Sequence, residues 1–193
     1  MAYPATFTLD APPRIANWRP LIQWILVIPH QVVLFIFAIV VQVVWLMAWL
    51  VIVITGKLPD GLRGIIVAYH RYNTRVIAYA GFLHSTYPPF SFSTSDVDPG
   101  DHPVAVSFES ALEGRNRLTV LLRFIWVIPA MIFFYVLYIA ASVVWIIAFF
   151  AVVFTGRWPG GLLNFATGAY RYGTRFEAYV TLLTDQYPPF SLD

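Results

Sequence analysis

Arg71 and Arg75 stand four residues apart, and Arg171 and Arg175 repeat that spacing one hundred residues later. On a helix, residues at i and i+4 share one face. Two planar guanidinium forks on one face can hold a phosphate or a carboxylate through several charge-assisted hydrogen bonds. Without such a group, like charges at this spacing repel by roughly a few tenths of a kcal/mol. Keeping the pair in both places therefore argues for a counter-anion: a lipid phosphate, a partner's carboxylate, or an internal acid such as Asp60, Glu177 or Asp185. The alternative is a structural pair anchored at the interface or to backbone carbonyls. Tyr72 and Tyr172 follow the first Arg of each pair and could flank a headgroup. The expected anion or lipid sites are thus Arg71, Arg75, Tyr72, Arg171, Arg175 and Tyr172.

Other chemistry is thin. The chain has no Cys, so disulfides, thiolate metal sites and a Cys nucleophile are excluded. Its four His (His30, His70, His84 and His102) include no pair at i,i+4, and neither a metal site nor a cofactor is expected. Asp96, Asp98 and Asp101 lack the Gly and final Glu of a calcium loop and read as a solvated acidic turn. No nucleophile elbow, phosphate loop or paired carboxylate is present, and no basic aromatic surface suits nucleic acid. An enzyme is not expected. Arg123, inside an apolar run, reads as a side chain that snorkels to an interface.

The elements that position these residues come in two copies. Residues 20–91 return as 120–191 without a gap, and 28 of the 72 aligned pairs are identical. A register that long is a duplication. Residues 1–91 read as repeat one, 92–102 as an acidic linker solvated throughout, and 103–193 as repeat two. Hydrophobic residues make up 59%, charged residues 11%, and the mean hydropathy is +0.70. Soluble domains are about 45–50% apolar and about 25% charged, so an integral membrane protein is expected. Residues 1–10 lack the basic start and apolar core of a signal peptide, so insertion is expected to rely on the later segments.

Within each copy the pattern predicts a short strand (4–10 and 103–109), a break at Pro29 or Pro129, and a turn at Gly56–Gly61 or Gly156–Gly161. The 35 residues from Leu21 to Thr55 would reach about 52 Å as one helix, against a bilayer core of about 30 Å. Residues 16–28 and 116–128 are therefore read as interfacial helices, with 30–55 and 130–155 as membrane spans. Residues 62–83 and 162–183 are helical, and either cross or lie among the headgroups. Matching basic positions (Lys57 with Arg157, and the two Arg pairs) favour parallel repeats with two crossings each. The expected fold is mainly α and integral to the membrane: two parallel repeats, each an interfacial helix plus a helical hairpin, four spans in total, with short β-strands at one membrane face.

Asn116-Arg-Leu-Thr-Val-Leu-Leu-Arg-Phe-Ile-x-Val-Ile-Pro129, Phe154-Thr-Gly-Arg-x-Pro159 and Leu183-Thr-Asp-x-Tyr-Pro-Pro-Phe-Ser191 resemble a bacterial membrane family recorded as a domain of unknown function, often in tandem copies. Repeat one departs from that pattern at Asn17–Pro20 and His84–Thr86. The resemblance implies a membrane protein and carries no catalytic residues. The resulting expectation is a non-enzymatic accessory or scaffold protein of the bacterial inner membrane. It would bind anionic lipid or a larger membrane complex, without a cofactor. A small transporter or channel with a path between the repeats is the alternative.

Overall fold

The structure is a computed structural model and describes residues 3–193. Strand β1 (Ala5–Leu9) leads into helix α1 (Arg19–Thr55) and helix α2 (Asp60–Ala80). Strand β2 (Val104–Phe108), short helices α3 (Arg117–Leu121) and α4 (Arg123–Trp126), and long helices α5 (Ile128–Thr155) and α6 (Gly160–Val180) follow. The two strands form one antiparallel ladder centred on the pair Phe7 and Val106.

The hairpins form where the sequence places them. Gly56 and Gly156 take the left-handed backbone (φ 73° and 68°) that ends α1 and α5. Their N–H groups bond back to the carbonyls of Ile52 and Val152. Pro59 and Pro159 then stand at the starts of α2 and α6, where a missing N–H costs nothing. Each hairpin closes on a buried non-glycine residue with positive φ, Phe82 (47°) and Leu182 (69°). The next N–H, of Leu83 or Leu183, reaches back to Ala78 or Ala178.

One expected break is absent. α1 runs unbroken through Pro29, over about 55 Å at 1.5 Å per residue. Pro29 removes a single backbone donor, and Val27, His30 and Leu34 beside it are buried against Tyr72, Val76 and Tyr79 of α2. In repeat two the chain does break, between α4 and α5, with Pro129 in the first turn of α5. Asn116 caps α3 there, accepting from the N–H groups of Leu118 and Thr119.

The repeats exchange contacts reciprocally. Ile15 N–H bonds to Gly156 O, and Arg115 N–H bonds to Gly56 O. Trp45 donates to Val180 O at the end of α6, while Trp145 stacks on Phe82 just past α2. Trp24 stacks on Trp145 and Phe149, and Trp49 donates to Val120 O. The start of each long helical run therefore lies against the end of the other, and α1 runs antiparallel to the 117–155 run. A rotation that swaps two antiparallel neighbours has its axis normal to the layer they form. The antiparallel strands exchange about Phe7 and Val106, so the same pseudo-twofold axis passes through the sheet. The strands are also swapped, β1 packing on α6 and β2 on α2.

In the expected parallel bundle α1 and α5 would run the same way; here they run antiparallel. Two helices, α1 and α5, are long and apolar enough to cross a membrane. α2 and α6 are not among them. α2 buries Arg63, Arg71 and Arg75 together with His70. α1 buries one stripe (Gln23, Val27, His30, Leu34, Val41, Val44, Ala48 and Ile52) and leaves the rest of its apolar surface open. The core under that stripe joins Val41, Val44 and Ala48 to Ile66 and Val67 of α2 and to Phe7, Val104 and Val106 of the sheet.

Candidate anion site

The four-residue spacing does place Arg71 and Arg75 on one face of α2. That face turns toward β2 and the linker, and both side chains are 2% exposed. Arg71 donates from Nε to Val106 O (2.9 Å), from Nη1 to Ser93 O (2.8 Å), and from Nη2 to Ser95 O (2.7 Å) and Asp96 O (3.2 Å). Arg75 donates from Nη2 to Asp98 Oδ1 and to Asp101 Oδ1, both at 2.8 Å. Asp98 Oδ2 lies 3.2 Å from Arg71 Nε and also accepts the N–H of Val106. One buried carboxylate thus answers two guanidiniums and ties β2 to α2.

The linker is therefore not solvated throughout. Asp98 has 3% of its side chain exposed, and His102 is buried. Alternating acids in a polar stretch looked like a surface turn because the sequence does not reveal which side chains fold inward. The acids named from the sequence are engaged elsewhere. Asp60 pairs with Arg63, Asp185 with Arg115 and Arg123, and Glu177 lies 3.1 Å from His70 Nδ1. Among the described residues no cluster suits a metal ion.

In repeat two the matching pair is more open: Arg171 and Arg175 are half-buried. Arg175 contacts Ser191 and the Asp193 carbonyl, and its guanidinium lies 6.0 Å from the Tyr3 ring centroid. Neither Arg171 nor Arg175 forms a salt bridge with a side-chain carboxylate among the described residues. The two pairs occupy equivalent places but have different partners: the acidic linker before β2 supplies Asp98 and Asp101 to the first pair.

Tyr72 and Tyr172 turn away from the arginine face. Both are fully buried and point back at the long helices. The Tyr72 hydroxyl is 2.6 Å from His30 Nδ1, and the Tyr172 hydroxyl donates to Ala130 O at 3.0 Å. His30 and Ala130 occupy the same repeat position.

A second charged centre was not assembled from the sequence. Asp185 takes two hydrogen bonds from Arg115 (3.0 and 2.6 Å), one from Arg123, and the N–H of Asn116. Burial works to raise its carboxyl pKa, but the bonds and charges of Arg115 and Arg123 overcome this and leave it below the usual value. Arg123 also donates to Tyr179 O and Thr184 O and lies 4.3 Å over the Tyr179 ring. It is buried and paired rather than snorkelled. Its counterpart Gln23 donates to His84 O, the carbonyl equivalent to that of Thr184. His84 and His102 meet edge to face at 4.8 Å. Burial and then the charge of His102 push the His84 pKa down to about 4. Burial, followed by the charge of Arg75, lowers that of His102.

These features define a duplicated helical-hairpin protein whose arginines and acids are spent largely on holding its own parts together. The chain belongs to the DUF4389 family, a domain of unknown function that matches twice, over residues 17–91 and 117–191. No curated protein and no solved structure matches it.

Proposed function

We propose that this chain is a non-enzymatic membrane protein that serves as an accessory or scaffold for a larger complex. The observation that carries this reading is the open apolar surface of α1 and α5. Leu21, Ile25, Phe35, Ile39, Val43 and Ile54 are exposed along α1, as are Ile132, Val136, Ile139, Ile146 and Phe154 along α5. Contiguous apolar patches on soluble monomers seldom exceed a few hundred Å². Lipid is the medium that tolerates a larger one.

Anionic lipid fits the exposed cations at the ends of this layer better than it fits the arginine pairs. Arg14 lies against Gly156 and Arg117 against Gly56, with exposed Lys57 and Arg157 next to those glycines. The half-buried Arg171 and Arg175, on the sheet side, suit a carboxylate of a protein partner. The transporter alternative is less well supported, because stacked Trp24, Trp145 and Phe149 occupy the contact between the two long runs.

Native mass spectrometry of the protein extracted in mild detergent tests this reading. Retained lipid or protein is expected, with the protein component lost in the Arg171→Gln, Arg175→Gln variant. Solute flux through reconstituted vesicles, with no retained lipid or protein, would favour transport.

A further inference from the structure

We infer that α1 and α5 lie flat within one leaflet of the bilayer, with the pseudo-twofold axis along the membrane normal, so that neither helix crosses. This rests on the reading that their apolar layer is seated in lipid.

Three observations converge on it. The first is symmetry. The axis is normal to the layer of long helices and runs through the centre of the sheet. If α1 stood upright, its midpoint near Phe35 would lie at mid-bilayer. The sheet centre, on the same axis, would lie at that depth too. Exposed Thr6 and Thr8 and half-exposed Asp101 would then sit at the level of the lipid tails. An open two-stranded sheet is not tolerated facing hydrocarbon.

The second is length. The exposed apolar surface runs the whole of α1, from Leu21 to Ile54. At about 1.5 Å per residue this is about 50 Å, well beyond a core of about 30 Å. A helix lying in the plane has no such limit.

The third is charge. Exposed Arg14, Lys57, Arg117 and Arg157 lie at the two ends of the helix layer, where headgroup phosphates would surround an embedded slab. Lys57 shares its charge with exposed Glu113. Exposed Asp10, Asp101 and Glu109 lie near the strand ends rather than at the ends of the helix layer. Four exposed cations against the two exposed acids Asp60 and Glu113 leave these ends net basic, which matches an anionic leaflet. The same orientation accounts for the matching basic positions of the two repeats: with the axis along the normal, both copies face the same side.

The test uses the full chain, which has no native Cys. Single Thr6→Cys, Lys57→Cys and Arg157→Cys variants are placed in sealed vesicles of phosphatidylethanolamine and phosphatidylglycerol and treated with a membrane-impermeant maleimide. All three should label from one side and not from the other. Upright helices would put Lys57→Cys and Arg157→Cys on opposite sides, since the axis exchanges the two ends, and that result overturns the inference. Spin labels at Ile25→Cys, Phe35→Cys and Ile54→Cys give a second measurement at positions 64%, 70% and 70% exposed. Equal depths are expected. A deep Phe35 label between two shallow ones overturns it. Failure of the salt-washed protein to float with the vesicles would instead remove the membrane reading, and this inference with it.

Discussion

Arg75 and Asp98 meet at 2.8 Å across the join between the two repeats, each almost wholly buried. Arg75 sits on α2 of repeat one, and Asp98 lies in the segment that delivers β2 to it. Removing one partner of a buried pair costs about 3–5 kcal/mol, because the other charge is left without compensation. Asp98→Asn should therefore lower the urea midpoint sharply. Asp101→Asn should cost under about 1 kcal/mol, since Asp101 is half-exposed. Equal effects would show that Asp98 is not the hub.

The two arginine pairs should respond differently. Arg71→Gln with Arg75→Gln strands Asp98 and abandons five backbone carbonyls, so loss of folded protein is expected. Arg171→Gln with Arg175→Gln should leave the thermal midpoint within a few degrees of the parent. Unfolding of both variants would mean that the repeat-two pair is as structural as the first.

The centre at Asp185 can be dissected by importing repeat-one residues. Asp185→Asn alone leaves Arg115 and Arg123 buried without an anion, and about 3–5 kcal/mol of destabilisation is expected. Combining Arg115→Ile, Arg123→Gln and Asp185→Ser reproduces Ile15, Gln23 and Ser85. Most of the loss should return, because the buried charges vanish together. Equilibrium denaturation of the single and triple variants measures the coupling.

Stability should fall in mild acid because of His84. Its folded pKa of about 4 lies below the ordinary 6.5. The neutral ring therefore contributes stability that is fully present above pH 6.5 and is lost as pH falls toward 4. The depression corresponds to about 3 kcal/mol in all. His84→Thr, the residue at the equivalent position of repeat two, should flatten the stability curve between pH 4 and 6. An unchanged acid limb would place the sensitivity elsewhere.

Tyr72→Phe should cost more than Tyr172→Phe. The first leaves the buried His30 Nδ1 without its partner, about 1–3 kcal/mol. The second removes a bond to a backbone carbonyl within a helix, about 0.5–1.5 kcal/mol. Matched thermal denaturation of the two variants checks the order.

The duplication, both strands and both Gly–Pro turns were legible in the sequence, because each is set by local chemistry. The direction of α5 relative to α1 was not. Hydropathy fixes how apolar a helix is but says nothing about which way its neighbour runs. Pro29 misled because one lost backbone bond is outweighed by the packing of Val27, His30 and Leu34 on either side of it. Asp98 misled because polar composition suggests solvent, whereas two buried guanidiniums upstream were waiting for an anion. Arg71 and Arg75 were correctly placed on one face, and backbone carbonyls were among the partners foreseen. Arg123 was assigned to an interface because its partner Asp185 lies far along the chain.

The swapped strands have a consequence for how such a chain came to exist. β1 finishes the hairpin of repeat two, and β2 finishes that of repeat one. A lone repeat would carry its strand with nowhere of its own to dock. Two unlinked copies would complete each other as a symmetric pair, each lending its strand to the other. Joining them head to tail turns that encounter between molecules into closure within one, so assembly no longer depends on concentration. Two copies in one chain also need not be identical. Here one arginine pair has a tethered acid of its own while the other has none among the described residues.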